Sequence, residues 1–143
     1  MKTRFHIPII LCIVALLPLN HLMAQDLETG YEPHSRILFI FDASNSMAGA
    51  WEGDVKINIA RKILIEMVDS LQHVENVEMA MRIYGHQSPV PPQDCSDTKL
   101  EVPFGPDNAS RIRQKLRFIT PKGTTPIARS LELSAGDFPP CRA

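Results

Sequence analysis

Apolar and polar positions change their period along the chain, and each change predicts a different element. The run RILFIF, Arg36–Phe41, is almost continuously apolar and of strand length, which is typical of a strand covered on both faces. Residues 43–54 are small and polar and predict a loop. From Val55 to His73 apolar side chains recur at i, i+3, i+4 and i+7, which predicts an amphipathic helix. Its predicted inward stripe consists of Ala60, Ile63, Leu64, Met67, Val68 and Leu71.

The middle of the chain predicts two further strands and a second helix. Val77–Gly85 predicts a strand, and Lys99–Phe104 predicts a short strand whose Pro103 favours the edge of a sheet. Between these strands, the prolines of HQSPVPPQDCSD predict an irregular loop. Asn108–Ile119 predicts the helix. Its inward positions are Ile112, Leu116 and Ile119.

A third helix is predicted in the segment TTPIARSLELSA near the C-terminus. Thr125 is a good capping residue, and Pro126 suits the first turn of a helix, where a missing N–H costs nothing. Ile127 and Leu131 supply the apolar stripe that we expect to face the core.

The resulting order of strand, helix, strand, strand, helix and helix begins with a βαβ unit. It predicts an α/β fold with a doubly wound, mostly parallel sheet and helices on both faces. Ligands of such sheets bind at the carboxyl ends of the strands, near the point where the strand order reverses. Asp42, Ser44 and Ser46 directly follow the carboxyl end of the first predicted strand.

Residues 1–24 predict a secretory signal peptide that is not part of the fold. A basic start at Lys2 and Arg4 precedes the apolar run Ile7–Leu19, and the layout predicts cleavage after Ala24. A membrane anchor is the alternative, but the apolar run is shorter than the roughly 20 residues that span a bilayer. We therefore expect a secreted or periplasmic protein in which residues 25–35 form a polar leader and no membrane span remains.

Composition and charge narrow the class of protein. The chain has 143 residues and a net charge of −1, and its basic residues do not form a cluster, which argues against nucleic acid as a partner. Export would permit a disulfide between Cys95 and Cys141. Two free thiols are the alternative, because spacing alone does not determine the geometry that a disulfide needs.

The segment FDASNSM carries oxygen atoms at alternate positions, on Asp42, Ser44 and Ser46. Hard divalent cations such as Mg²⁺ bind oxygen ligands, and alternate residues of an extended turn can direct their side chains to one point. A single carboxylate with two hydroxyls would leave the ion able to accept a carboxylate from a partner. The simpler interpretation is a turn or capping cluster, which the same residue types also favour.

These residues resemble a known family. FDASNSM is similar to the D-x-S-x-S motif of the von Willebrand factor A (VWFA) domain, the first segment of its metal-ion-dependent adhesion site. PKGTTPIARSLELSA resembles the second metal segment, in which a threonine follows a glycine at the start of a helix. The resemblance extends from about Arg36 to the C-terminus. It implies a Mg²⁺ or Mn²⁺ site with Asp42, Ser44, Ser46 and Thr125 as ligands, Thr124 being less favoured. It also implies an adhesion-type module that captures an acidic side chain of a protein partner.

One departure from the family pattern concerns the third metal segment, an aspartate after the fourth strand. The sequence ends at GDFPPCRA, where Asp137 follows a predicted helix rather than a strand. We therefore expect residues 36–143 to be an N-terminal portion of the domain, truncated before the fourth strand. In the strand order 3-2-1-4-5-6 the first strand would then have an unpaired apolar edge, which predicts association of the chain and weakened metal binding.

Other functions compete with a binding module. A metal-dependent hydrolase or phosphatase would use Asp42 or Ser44, but DASNS lacks both a second aspartate two residues on and the glycines of a nucleophile elbow. A purely structural fragment is the remaining alternative. We predict a binding module rather than an enzyme, with Trp51 and His86 as candidate partner contacts. Their simpler interpretations are packing of Trp51 on the first helix and an exposed loop histidine without a function.

Overall fold

A computed structural model describes residues 35–140. The elements are β1 (Ser35–Asp42), β2 (Ala50–Trp51), β3 (Asp54–Val55), α1 (Lys56–Leu71), β4 (Val77–Tyr84), β5 (Thr98–Val102), α2 (Asn108–Phe118) and α3 (Ile127–Ser134), with 3₁₀ turns at Asn45–Ala48 and Ala135–Asp137. The predicted signal peptide, nearly all of the leader and Cys141 lie outside the described residues, so the predictions made for them are not tested.

The main sheet has three strands in the order β1-β4-β5. β1 and β4 are parallel, with Ser35 opposite Val77 and Asp42 opposite Tyr84, whereas β5 runs antiparallel to β4. The α/β class is confirmed, and the order agrees with the 3-2-1 part of the predicted sheet. The described sheet is mixed, and the doubly wound, mostly parallel arrangement stays a prediction. β5 lies at an edge of this sheet, as Pro103 predicted.

A small hairpin replaces part of the loop predicted for residues 43–54. Ala50 pairs with Val55 and Trp51 with Asp54 in an antiparallel ribbon. The turn residues Glu52 and Gly53 both have positive φ, of 52° and 86°, which matches the twist of a tight hairpin. Strands of two residues are too short to produce a period in the sequence, and so the pattern could not reveal them.

The core lies between one face of the sheet and the helices α1 and α2. Alternate residues of β4, Met79, Met81 and Ile83, are buried there. The helices contribute Ile57, Leu64, Val68, Ala109, Ile112 and Leu116. The guanidinium of Arg61 on α1 also donates hydrogen bonds to two carbonyl oxygens at the end of α2, those of Leu116 at 2.8 Å and Ile119 at 2.9 Å.

Part of the predicted stripe of α1 is exposed. Leu64 and Val68 are buried as expected, but Ile63 and Met67 are 52% and 48% exposed. These two residues line a groove along β1 together with Phe39 and other β1 residues. Among residues 35–140, no strand pairs with the edge of β1 that faces away from β4. The side of α1 that carries Ile63 and Met67 therefore lies beside an unpaired strand edge in this part of the chain. Association of the chain through this edge stays a prediction.

Two expectations about α3 are wrong. Ile127 and Leu131 do not face the core, since they are 51% and 56% exposed. Thr125 does not cap the helix, because the capping position belongs to Pro126 and no side chain forms a capping hydrogen bond. α3 is instead attached through a buried polar contact, the hydroxyl of Ser130 with that of Thr98 on β5 at 2.9 Å.

Candidate metal centre

The D-x-S-x-S segment folds back on itself at the carboxyl end of β1. The Asp42 carboxylate accepts the Ser44 backbone N–H at 2.7 Å, and the Ser44 and Ser46 hydroxyl oxygens lie 3.2 Å apart. Ser44 is buried, whereas Asn45 and Ser46 are exposed. The local structure therefore brings the two serine hydroxyls together and holds the carboxylate close to the same turn.

The second predicted metal segment lies directly beside the first. Ser44 and Gly123 form a parallel bridge, in which the Asn45 N–H donates to the Gly123 carbonyl at 2.8 Å. The Lys122 N–H donates to the carbonyl oxygen of Ala43 at 3.2 Å. Two segments that are far apart in the sequence thus contact each other at the carboxyl end of β1. The fold class predicted a ligand site at this end of the strands.

The two adjacent threonines differ in their surroundings. The Thr124 hydroxyl donates to the backbone carbonyl of Asp94 and is only partly exposed. Thr125 is exposed, and its carbonyl oxygen accepts the Ile127 N–H at 2.9 Å. Donation to Asp94 leaves the Thr124 oxygen able to bind a cation, so the choice of Thr125 over Thr124 as the ligand stays a prediction.

Glycines allow three chain segments to meet behind the candidate site. Gly85 has φ +71°, and a Cβ atom there would lie 2.5 Å from the Thr124 carbonyl oxygen and 2.6 Å from the Ser44 Cα. A Cβ atom on Gly123 would lie 2.5 Å from a carboxylate oxygen of Asp97. Such contacts are too short for any larger residue, so both positions require glycine for this close backbone packing.

Tyr84, which sequence reasoning did not single out, lies next to Asp42. The parallel register pairs the two residues at the end of β1 and β4. Burial, and then the charge of Asp42 and a hydrogen bond to it, raise the pKa of the Tyr84 hydroxyl. Only the pairing register reveals this contact, because Tyr84 reads as an ordinary strand residue.

The two candidate partner contacts lie in opposite environments. Trp51 is 57% exposed on the hairpin, and its packing on α1 stays a prediction. His86 is buried, with Nε2 3.0 Å from a carboxylate oxygen of Glu101 and Nδ1 4.0 Å from Asp97. Trp51 is therefore accessible to a partner, whereas the His86 ring lacks the exposure that such a contact needs.

The Glu101 carboxylate, which contacts the His86 ring, also lies next to basic side chains. Burial alone would raise the pKa of the Glu101 carboxyl, but hydrogen bonds from Lys115, His86 and Lys99 outweigh this effect and lower its pKa to about 2. Lys99 lies 3.0 Å from this carboxylate. Glu101 is thus ionised at neutral pH and belongs to a structural charge cluster of β5 and α2.

The donor types of the two segments fit a hard cation. One carboxylate, serine hydroxyls and an exposed threonine hydroxyl are oxygen donors of the kind that Mg²⁺ binds. Within residues 35–140, no group of three or more His, Cys, Asp and Glu side chains could hold a metal ion. The identity of the ion and all four ligands stay predictions, as does the disulfide, of which the structure describes only the exposed Cys95.

The fold is similar to those of a solved von Willebrand factor (vWF) domain and a solved pilin. The vWF domain of the type V pili tip protein Mfa5 from Porphyromonas gingivalis matches with a TM-score of 0.51 and 21% identity, over 71% of this chain and 31% of that one. The PilB minor pilin from Streptococcus sanguinis matches with a TM-score of 0.58 and 17% identity, over 74% of this chain and 26% of that one. The predicted VWFA-like fold is therefore confirmed at the level of overall architecture.

Sequence relatives extend beyond this chain. YwmC of Bacillus subtilis is 27% identical over 142 residues, which cover 96% of this chain and 62% of YwmC. The chain thus spans less than two thirds of the length of this relative. No family model matches the chain. In the described range 35–140, no helix is long and apolar enough to cross a membrane.

Proposed function

We propose that this protein is an exported, adhesion-type binding module that holds Mg²⁺ or Mn²⁺ and captures an acidic side chain of a protein partner. The proposed ligands are Asp42, Ser44, Ser46 and Thr125. The observation that carries the proposal is the backbone bridge between Ser44 and Gly123, which joins the D-x-S-x-S turn to the threonine segment. The bound ion would supply the positive charge that attracts the partner's carboxylate.

The chain's own residues prepare the site for this task. The Ser44 N–H donates to Asp42, which orients the one carboxylate of the proposed set. Because the other proposed ligands are neutral hydroxyls, they would neutralise little of the ion's charge. The exposed indole of Trp51 offers apolar contact area near the same end of β1.

The pilus proteins among the structural neighbours support a role in adhesion at the cell surface. PilB is a minor pilin, and Mfa5 is a pili tip protein. The site contacts favour binding over hydrolysis. The Ser44 hydroxyl is buried against Ser46, and the imidazole of His86 is hydrogen-bonded to Glu101 rather than to a serine. A nucleophile would need a general base within hydrogen-bonding reach.

Calorimetric titration of the full chain with Mg²⁺ tests the proposal through Asp42→Asn. This change removes the charge but retains an oxygen that can accept the Ser44 N–H. We expect affinity to fall at least about tenfold, since loss of an outer-shell partner alone typically costs about 10–100-fold. Asp107→Asn is the matched control, because Asp107 is exposed before α2. Equal heats for the wild type and Asp42→Asn would reject Asp42 as a ligand.

A pair of threonine variants tests the second segment. Thr125→Val replaces an exposed hydroxyl and should weaken Mg²⁺ binding if that hydroxyl is a ligand. Thr124→Val removes the hydrogen bond to Asp94 and should lower stability more than Mg²⁺ affinity. The opposite order of effects on Mg²⁺ affinity would assign the ligand to Thr124.

A further inference from the structure

Residues 86–97, here called the proline loop, form an internally bonded wall between β4 and β5. The Asp97 carboxylate is fully buried and accepts the backbone N–H groups of Gln87 at 3.1 Å and Ser88 at 3.0 Å. The Asp94 carboxylate accepts the Ser88 hydroxyl at 2.9 Å and the Ser96 N–H at 2.8 Å. These contacts hold the loop in one conformation although its sequence predicts only irregular structure.

The proline loop is also bonded to the threonine segment of the candidate metal centre. The Val90 N–H donates to the Lys122 carbonyl at 3.2 Å, and the Thr124 hydroxyl donates to the carbonyl of Asp94. The Gly123 N–H donates to the Gly85 carbonyl at 2.8 Å, directly before the loop begins. These hydrogen bonds therefore fix the position of the proline loop relative to the threonine segment.

A cleft of about 360 Å³ lies between the proline loop and the threonine segment. Its described lining includes Val90, Gln93 and Cys95 from the loop and Asn45, Thr125 and Pro126 from the other side. None of the side chains described there carries a charge. Asn45 lies between two proposed ligands and Thr125 is itself one, so the cleft opens beside the candidate metal centre. Its volume is at the lower end of the range for small-ligand sites.

We propose that this cleft is a specificity subsite that receives the uncharged residue next to the captured acidic residue of a partner. This inference rests on the proposed function and names the kind of partner segment that the site takes. The side chains that line the cleft offer no counter-charge, so a charged neighbour would lose hydration without gaining an ion pair with a side chain of this protein. An uncharged neighbour would lose little hydration and would gain contacts with both walls.

The probe is a library of short peptides that contain one fixed aspartate and vary the residue on each side, presented to the full chain with Mg²⁺. We expect the wild type to enrich peptides with an uncharged neighbour. Gln93→Lys places a positive charge at the cleft, and we expect it to shift the preference toward acidic neighbours at least about fivefold. Gln114→Lys is the control, since Gln114 is exposed on α2 outside the cleft and should leave the preference unchanged.

Separate measurements distinguish a failure of the subsite proposal from a failure of the proposed function. Calorimetry with Mg²⁺ alone should give the same heats for Gln93→Lys and the wild type, because Gln93 is not a proposed ligand. Metal-dependent peptide binding with the same neighbour preference in both proteins would overturn the subsite and leave the proposed function intact. Capture of no peptide by the wild type in Mg²⁺ would overturn both.

Discussion

The ion pair between Arg82 of β4 and Asp137 attaches the 3₁₀ turn that follows α3 to the sheet, and Asp137→Ala tests its energetic role. Two guanidinium nitrogens donate to the two carboxylate oxygens at 2.7 and 2.6 Å, and a third donates to the Thr98 hydroxyl at 3.2 Å. The two side chains are only 7% and 8% exposed. The variant would therefore leave a positive charge buried without a counter-charge.

The magnitude follows from that burial. Removal of one partner of a buried pair costs about 3–5 kcal/mol, a large share of the roughly 5–15 kcal/mol that stabilises a domain. Asp137→Asn retains one acceptor oxygen and should cost less, about 1.5–3 kcal/mol. The double variant Arg82→Met with Asp137→Leu removes both charges, and we expect its stability to lie within about 2 kcal/mol of the wild type.

Urea unfolding of the full chain, followed by circular dichroism, measures all four proteins. With the single variants Arg82→Met and Asp137→Leu measured as well, the double-mutant cycle gives the coupling energy between the two positions. A cost below about 1 kcal/mol for Asp137→Ala would refute the view that this pair is a buried attachment. In addition, Asp137→Asn should leave the heats of Mg²⁺ titration unchanged, and a loss of binding would show that Asp137 reaches the ion.

Two further predictions concern the surroundings of the candidate site. Gly123→Ala would force a Cβ atom to 2.5 Å from Asp97, so we expect a loss of about 1–3 kcal/mol in stability and weaker Mg²⁺ binding, whereas Gly136→Ala meets nothing within 4 Å and should change neither. Differential scanning fluorimetry measures the stability of both variants, and Mg²⁺ titration measures their metal binding. Equal values for Gly123→Ala and Gly136→Ala would show that this packing is unimportant. The pKa of Glu101 is lowered from 4.5 to about 2, so its ionised form stabilises the fold above pH 4.5 and that contribution is lost as the pH falls toward 2. Thermal melts between these pH values should show a smaller decline in Glu101→Gln, and parallel declines would contradict the charge cluster.

The strands and helices with long periodic patterns were predictable from the sequence to within a few residues. The predicted strand Val77–Gly85 is β4, Val77–Tyr84, and the predicted helix Asn108–Ile119 is α2, Asn108–Phe118. Burial was less predictable, as Ile127 of α3 illustrates. An apolar stripe reports which side of a helix is hydrophobic, but it cannot report whether another element covers that side.

Of the candidate site, the sequence by itself determined the residue types and their spacing. Asp42, Ser44 and Ser46 stand at alternate positions after an apolar strand, and this pattern can be read from consecutive residues alone. The 3₁₀ turn at Asn45–Ala48 replaces the extended turn that the pattern predicted. The tertiary structure alone decided that Ser44 meets Gly123 and that Tyr84 faces Asp42. Such contacts depend on the register of β1 against β4 and on glycines that let distant backbones approach. No local pattern contains that information, since it arises only when remote segments pack together.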